Sequence, residues 1–270
     1  MSGQVKVMGI VNVTPDSFSD GGRFLAPRAA LAHARRLIAE GADILDIGAE
    51  STRPGSDPVT AEEEIRRAIP LIEAIRAESP VPISIDTMKP QVARAAIAAG
   101  ADIWNDVAAL GFAPDGPTVA AELGCDVVLM HMQGEPRTMQ ADPHYDDVVG
   151  EVRDFLIARA EAAMAAGVAR EKIWLDPGIG FGKRPEHNLT LLARLDEIAQ
   201  LGFPILLGVS RKRFIAALDP VGGAALDGRL PGSLAAALAG IGKGASVLRV
   251  HDVGETVQAL SVWNAIGAAR

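Results

Sequence analysis

Short apolar runs recur along the chain at intervals that a helix and its turns would fill, and this rhythm restricts the possible folds more than any other feature. The runs are 5–12 (VKVMGIVN), 43–48 (DILDIG), 81–86 (VPISID), 102–106 (DIWND), 125–131 (CDVVLMH), 172–177 (KIWLDP), 203–209 (FPILLGV) and 245–251 (ASVLRVH). They are rich in Val, Ile and Leu and do not alternate cleanly, which is the pattern of parallel strands buried on both faces. Ala-rich amphipathic stretches at 27–40, 61–78, 89–99, 146–166, 186–200, 231–242 and 254–269 separate them and are read as helices. A weak internal repeat supports the count. "GADI" at 41 and 100, "GCDV" at 124 and "GASV" at 244 each set a glycine behind a helix and begin a strand two residues later. Glycine is the residue that tolerates the left-handed position closing a helix.

Eight strand–helix units in about 250 residues have the size and rhythm of a (β/α)8 TIM barrel, expected here as a single α/β domain over 1–270. An open doubly wound sheet would place Gly-x-Gly-x-x-Gly after its first strand, where this chain has "IVNVTPDS". The "GIGFG" at 178–182 has the wrong spacing and follows the sixth run.

Charge and cysteine content narrow the function. A net charge of −8 and a pI near 5.2 give no basic footprint for nucleic acid. With Cys125 as the one cysteine, neither a disulfide nor a cysteine-based zinc site can form. The five histidines, 33, 131, 144, 187 and 251, make no local ligand cluster. No apolar run reaches membrane-spanning length, and "MSGQVK" does not read as a secretory leader, so a cytosolic protein without membrane partners is expected.

The polar residues inside this pattern are concentrated at strand ends. Asn12, Asp46, Asp86, Asn105, Asp176, Arg249 and His251 lie at or just past the C-terminal ends of the expected strands, with Thr52, Arg53 and Lys212 in the loops that follow. In a (β/α)8 barrel those ends meet at one rim, where active sites lie. One aspartate at a strand end is usually a cap or a turn residue, whereas a converging set needs another explanation. Arg249, His251, Lys212 and Arg53, with the hydroxyls of Ser51 and Thr52, are suited to phosphate oxygens. Asp86, Asn105 and Asp176 are suited to the outward amino and N–H groups of a planar heterocycle. A phosphate-bearing aminopyrimidine or pterin fits both halves.

These residues lie in recognisable blocks: "MGIVNVTPDSFSDGG" (8–22), "GAESTRPGS" (48–56), "SIDTMKP" (84–90), "NDV" (105–107), "LMHMQGEPRTM" (129–139), "LDPGIGFGK" (175–183), "GVSRKRF" (208–214) and "LRVHDVGET" (248–256). In order and over nearly the whole chain, they resemble the block motifs of the dihydropteroate synthase family. The resemblance implies a transferase of folate biosynthesis. It would join 7,8-dihydropterin-6-ylmethyl diphosphate to 4-aminobenzoate, pyrophosphate leaving first from a methylene cation that the pterin ring nitrogen stabilises.

It also implies roles for residues. Asn12 resembles the family's magnesium-contacting asparagine, so Mg2+ is the expected cofactor, with diphosphate and water completing its shell. Val13–Gly22 and 50–57 resemble two mobile loops, which would place Phe18, Thr52, Arg53 and Pro54 near the aminobenzoate, where sulfonamides are expected to compete. Asp86, Asn105 and Asp176 fall to the pterin edge, Lys212 to its carbonyl oxygen and N5, and Arg249 and His251, as cations, to the diphosphate. Arg213 departs from the serine that family members often carry there, and Ile179 stands where phenylalanine is also common. Family members are typically homodimers, for which "VQALSVWNAIGAA" (257–269) is a candidate surface, although a helix packed on its own barrel would read alike.

Two alternatives remain at this point, the pterin-binding domain of a corrinoid-linked methyltransferase and a non-catalytic pterin-binding paralogue. The first has no use for a diphosphate clamp. Asp46 is read as either a structural aspartate or a ligand contact. The acidic start of "AEEEIRRA" (61–68) is expected to serve only its helix, and Met130, Met132 and Met139 to serve packing.

Overall fold

The computed structural model describes residues 4–13, 22–50, 58–135 and 137–269, of which 22–27 by backbone alone. Strands β1 (Lys6–Asn12), β2 (Ile44–Gly48), β3 (Ile83–Asp86), β4 (Ile103–Asp106), β5 (Asp126–Met130), β6 (Ile173–Asp176), β7 (Leu206–Leu207) and β8 (Val247–Val250) form one parallel sheet in the order β6-β5-β4-β3-β2-β1-β8-β7. A parallel bridge between Leu175 and Ile205 joins its two ends, closing the (β/α)8 barrel read from the sequence.

Around it run α1 (Gly22–Ala39), α2 (Ala61–Glu78), α3 (Pro90–Ala98), α4 (Gly116–Leu123), α5 (Val148–Ala165), α6 (Pro185–Ala193), α7 (Leu195–Ala199), α8 (Arg213–Leu218), α9 (Leu230–Ile241) and α10 (Val253–Ala268). The glycines of the internal repeat take the left-handed conformation, with φ of +99° at Gly41, +107° at Gly100, +59° at Gly124 and +103° at Gly244.

The core has two layers because successive strand residues face opposite ways. Val7, Leu45, Ile83, Trp104, Val127 and Leu248 point outward and pack with the inner faces of the helices. Met8, Ile44, Ile103, Val128, Trp174, Leu206 and Val247 form a separate cluster that fills the barrel. One inward position further along, β2, β4, β6 and β8 switch to the polar residues Asp46, Asn105, Asp176 and Arg249. In the strand register Gly48 pairs with Asp86 and Asp86 with Asn105, while Asp176 pairs with Met130, two residues beyond the partner of Asn105 on β5.

Several elements differ from expectation, among them α8, which lies outside the helical stretches read from the sequence. The seventh strand is shorter than 203–209, because Pro204 has no N–H for the ladder and takes part only through its carbonyl, which accepts from Leu175 N–H at 2.9 Å. The helix expected over 186–200 breaks at Arg194, where φ is −114° and ψ 23°. Helix α4 was not expected; its opening Gly-Pro reads as a breaker, yet proline is tolerated in a first turn. The C-terminal helix packs one of its sides on its own barrel. Val253, Thr256 and Leu260 are buried on the barrel, whereas Val262, Trp263 and Ile266 are exposed.

Candidate active site

Five of the side chains singled out in the sequence line one cleft at the C-terminal mouth: Asp86 from β3, Asn105 from β4, Asp176 from β6, Lys212 from the loop after β7, and Arg249 from β8. Val107, Met130, Ile179 and Phe181 supply its apolar lining. The space is about 320 Å³, open solvent at the mouth included. Asn12 belongs to the same rim. A Cβ on Gly48 would lie 3.4 Å from Asn12 Oδ1 and 3.8 Å from Asp86 Oδ2, so the bare backbone of Gly48 separates the two groups. Phe18, Thr52, Arg53 and Pro54, with Ser51, lie outside the described residues.

Charge is tightly organised. Arg249 donates from Nε to Asp46 Oδ2 at 2.6 Å and from Nη2 to Asp86 Oδ2 at 2.6 Å. Burial opposes its charge, but the two carboxylates outweigh burial and hold its pKa above the ordinary arginine value. Asp86 has its other oxygen, Oδ1, buried with no hydrogen-bond partner among the described residues. Burial pushes the Asp86 carboxyl up to about 7, against the pull of Arg249. Asp176 accepts from Gly178 N–H at 2.7 Å on Oδ1, and burial raises its pKa as well. Lys212 sets its Nζ 4.1 Å from the centroid of the Phe181 ring, and burial with the nearby Arg249 lowers its pKa to about 8.

His251 lies against Ser210 in the loop after β7. Ser210 Oγ accepts from His251 N–H at 3.2 Å and lies within hydrogen-bond distance of His251 Nδ1, at 3.0 Å. Burial, then Arg249 and Arg211, lower the imidazole pKa to about 3. Among the described residues of the cleft lining, Arg249 and Lys212 are the cations.

A family model described as pterin binding enzyme matches residues 8–251. The chain is 50% identical over 264 residues to the dihydropteroate synthase of Escherichia coli (strain K12), covering 98% of this chain and 92% of that one. The chain belongs to the dihydropteroate synthase family. Two solved structures agree. The Xanthomonas albilineans dihydropteroate synthase with 4-aminobenzoic acid is 52% identical with a TM-score of 0.92, covering 98% of this chain and 94% of that one. The enzyme of the same organism in complex with 7,8-dihydropteroate is 48% identical with a TM-score of 0.89, covering 99% and 95%. As a member of the dihydropteroate synthases, the chain is a transferase of folate synthesis.

Several residues around this dihydropteroate synthase cleft escaped sequence reasoning. Met130 lines the cleft instead of serving packing alone, a role that its inward register beside Asp176 could have signalled. Glu64, read as part of a helix-start acidic run, is fully buried. It accepts from Thr87 Oγ1 at 2.9 Å and pairs with Lys89, which also donates to Glu50 Oε2 at 2.8 Å. Glu50 Oε1 in turn accepts from Val59 N–H at 2.7 Å, tying the two ends of the segment after β2 together.

Lys183 is the other omission. Its buried Nζ donates to Gly178 O at 3.0 Å and Phe181 O at 3.0 Å and lies 2.9 Å from His131 Nδ1, fixing the loop that also caps Asp176. Gly178 is required there, since φ is +66° and a Cβ would fall 1.9 Å from His131 O.

Proposed function

We propose that this rim condenses 7,8-dihydropterin-6-ylmethyl diphosphate with 4-aminobenzoate, releasing pyrophosphate and giving 7,8-dihydropteroate, within one barrel domain spanning 1–270. The observation that carries this reading is the convergence of Asp86, Asn105, Asp176, Lys212 and Arg249 on one cleft. Asp86 Oδ1, a buried acceptor without a protein partner among the described residues, suits a ligand N–H.

In this mechanism the pterin lies with its aminopyrimidinone edge on Asp86, Asn105 and Asp176. The bond between the exocyclic methylene carbon and the diphosphate oxygen breaks, and its electron pair leaves with pyrophosphate. Lys212 and Arg249 offset the charge gathering on the departing oxygens, and His251 adds a hydrogen bond to them. The buried carboxylates beside the ring favour the cation left at the methylene. The amine nitrogen of 4-aminobenzoate then forms the new C–N bond and gives up a proton to solvent. Thr52, Arg53, Phe18 and Pro54 are proposed to hold the aminobenzoate, and sulfonamides to compete there.

Mg2+ fits the residues present. Asn12 Oδ1 is a neutral hard oxygen at the rim, and among the described residues no three His, Cys, Asp or Glu side chains could hold a metal on their own. Asn12 would hold the ion together with diphosphate and water oxygens, as Mg2+ prefers. When bound, it would neutralise charge on the leaving group.

A homodimer and a cytosolic location complete the proposal. The exposed Val262, Trp263 and Ile266 support the first, and no described helix is long and apolar enough to cross a membrane. A corrinoid-linked methyltransferase reading leaves the two cleft cations without a substrate group.

The reading is tested by soaking crystals with the pterin diphosphate in the absence of 4-aminobenzoate. Density for the ring against Asp86, Asn105 and Asp176 is the expected result. A ring bound away from them overturns the placement.

A further inference from the structure

Asp46 lies below the cleft and is fully buried. It accepts from Arg249 Nε at 2.6 Å and from Asn105 Nδ2 at 3.3 Å on Oδ1 and 3.4 Å on Oδ2. A carboxylate already paired with a guanidinium has no hydrogen to give and can only accept. The amide of Asn105 must therefore turn its NH2 toward Asp46, which leaves Oδ1, the acceptor, as the group for a ligand in the cleft. Because an amide is nearly symmetrical in shape, nothing in packing alone would choose that orientation.

We propose that Asp46 is a positioning residue that fixes the donor–acceptor sense of Asn105 and the plane of Arg249 through one carboxylate, so that ring recognition and leaving-group stabilisation share a single support. The inference rests on the pterin reading of the cleft. In Asp46→Asn the new amide must accept from Arg249 Nε with its oxygen and thus directs its NH2 at Asn105. Asn105 then turns over and presents hydrogens to the ring N–H groups, an opposition of buried donors. In the exchange variant Asp46→Asn/Asn105→Asp, the amide at position 46 still accepts from Arg249 and donates to the carboxylate at position 105, whose second oxygen again faces the cleft as an acceptor. Net charge is unchanged.

The test is calorimetric titration with 6-hydroxymethyl-7,8-dihydropterin, the substrate without its diphosphate. Asp46→Asn should bind it about 10- to 100-fold more weakly than the wild type, and the exchange variant should recover most of that loss. Circular dichroism confirms that both are folded. Wild-type affinity in folded Asp46→Asn, or no recovery in the folded exchange variant, overturns the role of Asp46. Absence of pterin binding by the wild type instead defeats the reading of the cleft. A neutron structure of the wild type needs no variant to fold. It should show Asn105 with its Nδ2 deuterons on the Asp46 side, and Oδ1 found there overturns the inference.

Discussion

Arg249, on the last strand of the barrel, is bonded at 2.6 Å to Asp86 on the third, with Asp46 on the second holding the same guanidinium at 2.6 Å. The group proposed to meet the leaving diphosphate is thus fixed by one carboxylate that lines the cleft, Asp86, and by one buried below it, Asp46. Preorganisation of this kind makes a charge effective, because little rearrangement is left for the transition state. Arg249→Ala should lower kcat by about 100-fold or more, with a smaller effect on affinity for the pterin ring. Steady-state kinetics beside calorimetry would show it, and a loss confined to KM would contradict the assignment.

Asp176 makes a second prediction through its divided carboxylate. Oδ1 is taken by Gly178 N–H at 2.7 Å, and the other oxygen is the one free for a ligand. In Asp176→Asn the amide oxygen must stay on Gly178 N–H, so the NH2 faces the cleft. Pterin affinity should fall by about 1–3 kcal/mol, read by calorimetry. Unchanged affinity would show that Asp176 does not face the ring.

The raised pKa of Asp86 gives a pH dependence with a definite sign. Its carboxyl titrates near 7, against an ordinary 3.8, chiefly because it is buried. Below that value it carries a proton and ceases to be a pure acceptor. Affinity for the pterin should therefore fall as pH drops through about 7, and Asp86→Asn should lack this limb. The same shift acts oppositely on the free protein. The folded state holds the proton more tightly than the unfolded chain, so this group's contribution to stability declines as pH rises from about 4 to about 7 and is constant above.

Lys89 tests the frame behind the mouth. It is paired with Glu64, whose side chain is wholly buried, and with Glu50 at 2.8 Å. Lys89→Met leaves these carboxylates without their cation and should cost about 3–5 kcal/mol of folding stability. Chemical denaturation measures this, and a loss below about 1 kcal/mol would mean that water or another cation takes over the pairing.

The barrel and five of its cleft residues could be read from the chain because they depend on local pattern. Strand-end polarity at Asp86, Asn105, Asp176 and Arg249 coincides with the rim, and glycines 41, 100, 124 and 244 mark where helices end. What was not legible depends on contacts distant in sequence. Glu64 resembles its neighbours in an acidic run, and only its burial against Thr87 and Lys89, more than twenty residues away, sets it apart. His251 carries an ordinary imidazole in the sequence. Its lowered pKa follows from burial and from Arg249 and Arg211, which local pattern does not reveal. The ambiguity of Asp46 was of the same kind, since an aspartate in an apolar run reads alike whether it touches a ligand or, buried in mid-strand as here, orients the residues that do.

The most direct test of the central claim is turnover by the purified protein supplied with the pterin diphosphate, 4-aminobenzoate and Mg2+. The account predicts pyrophosphate and 7,8-dihydropteroate released in equal amounts, with both falling together in Arg249→Ala. Folded protein that binds the pterin diphosphate yet forms neither product would contradict it.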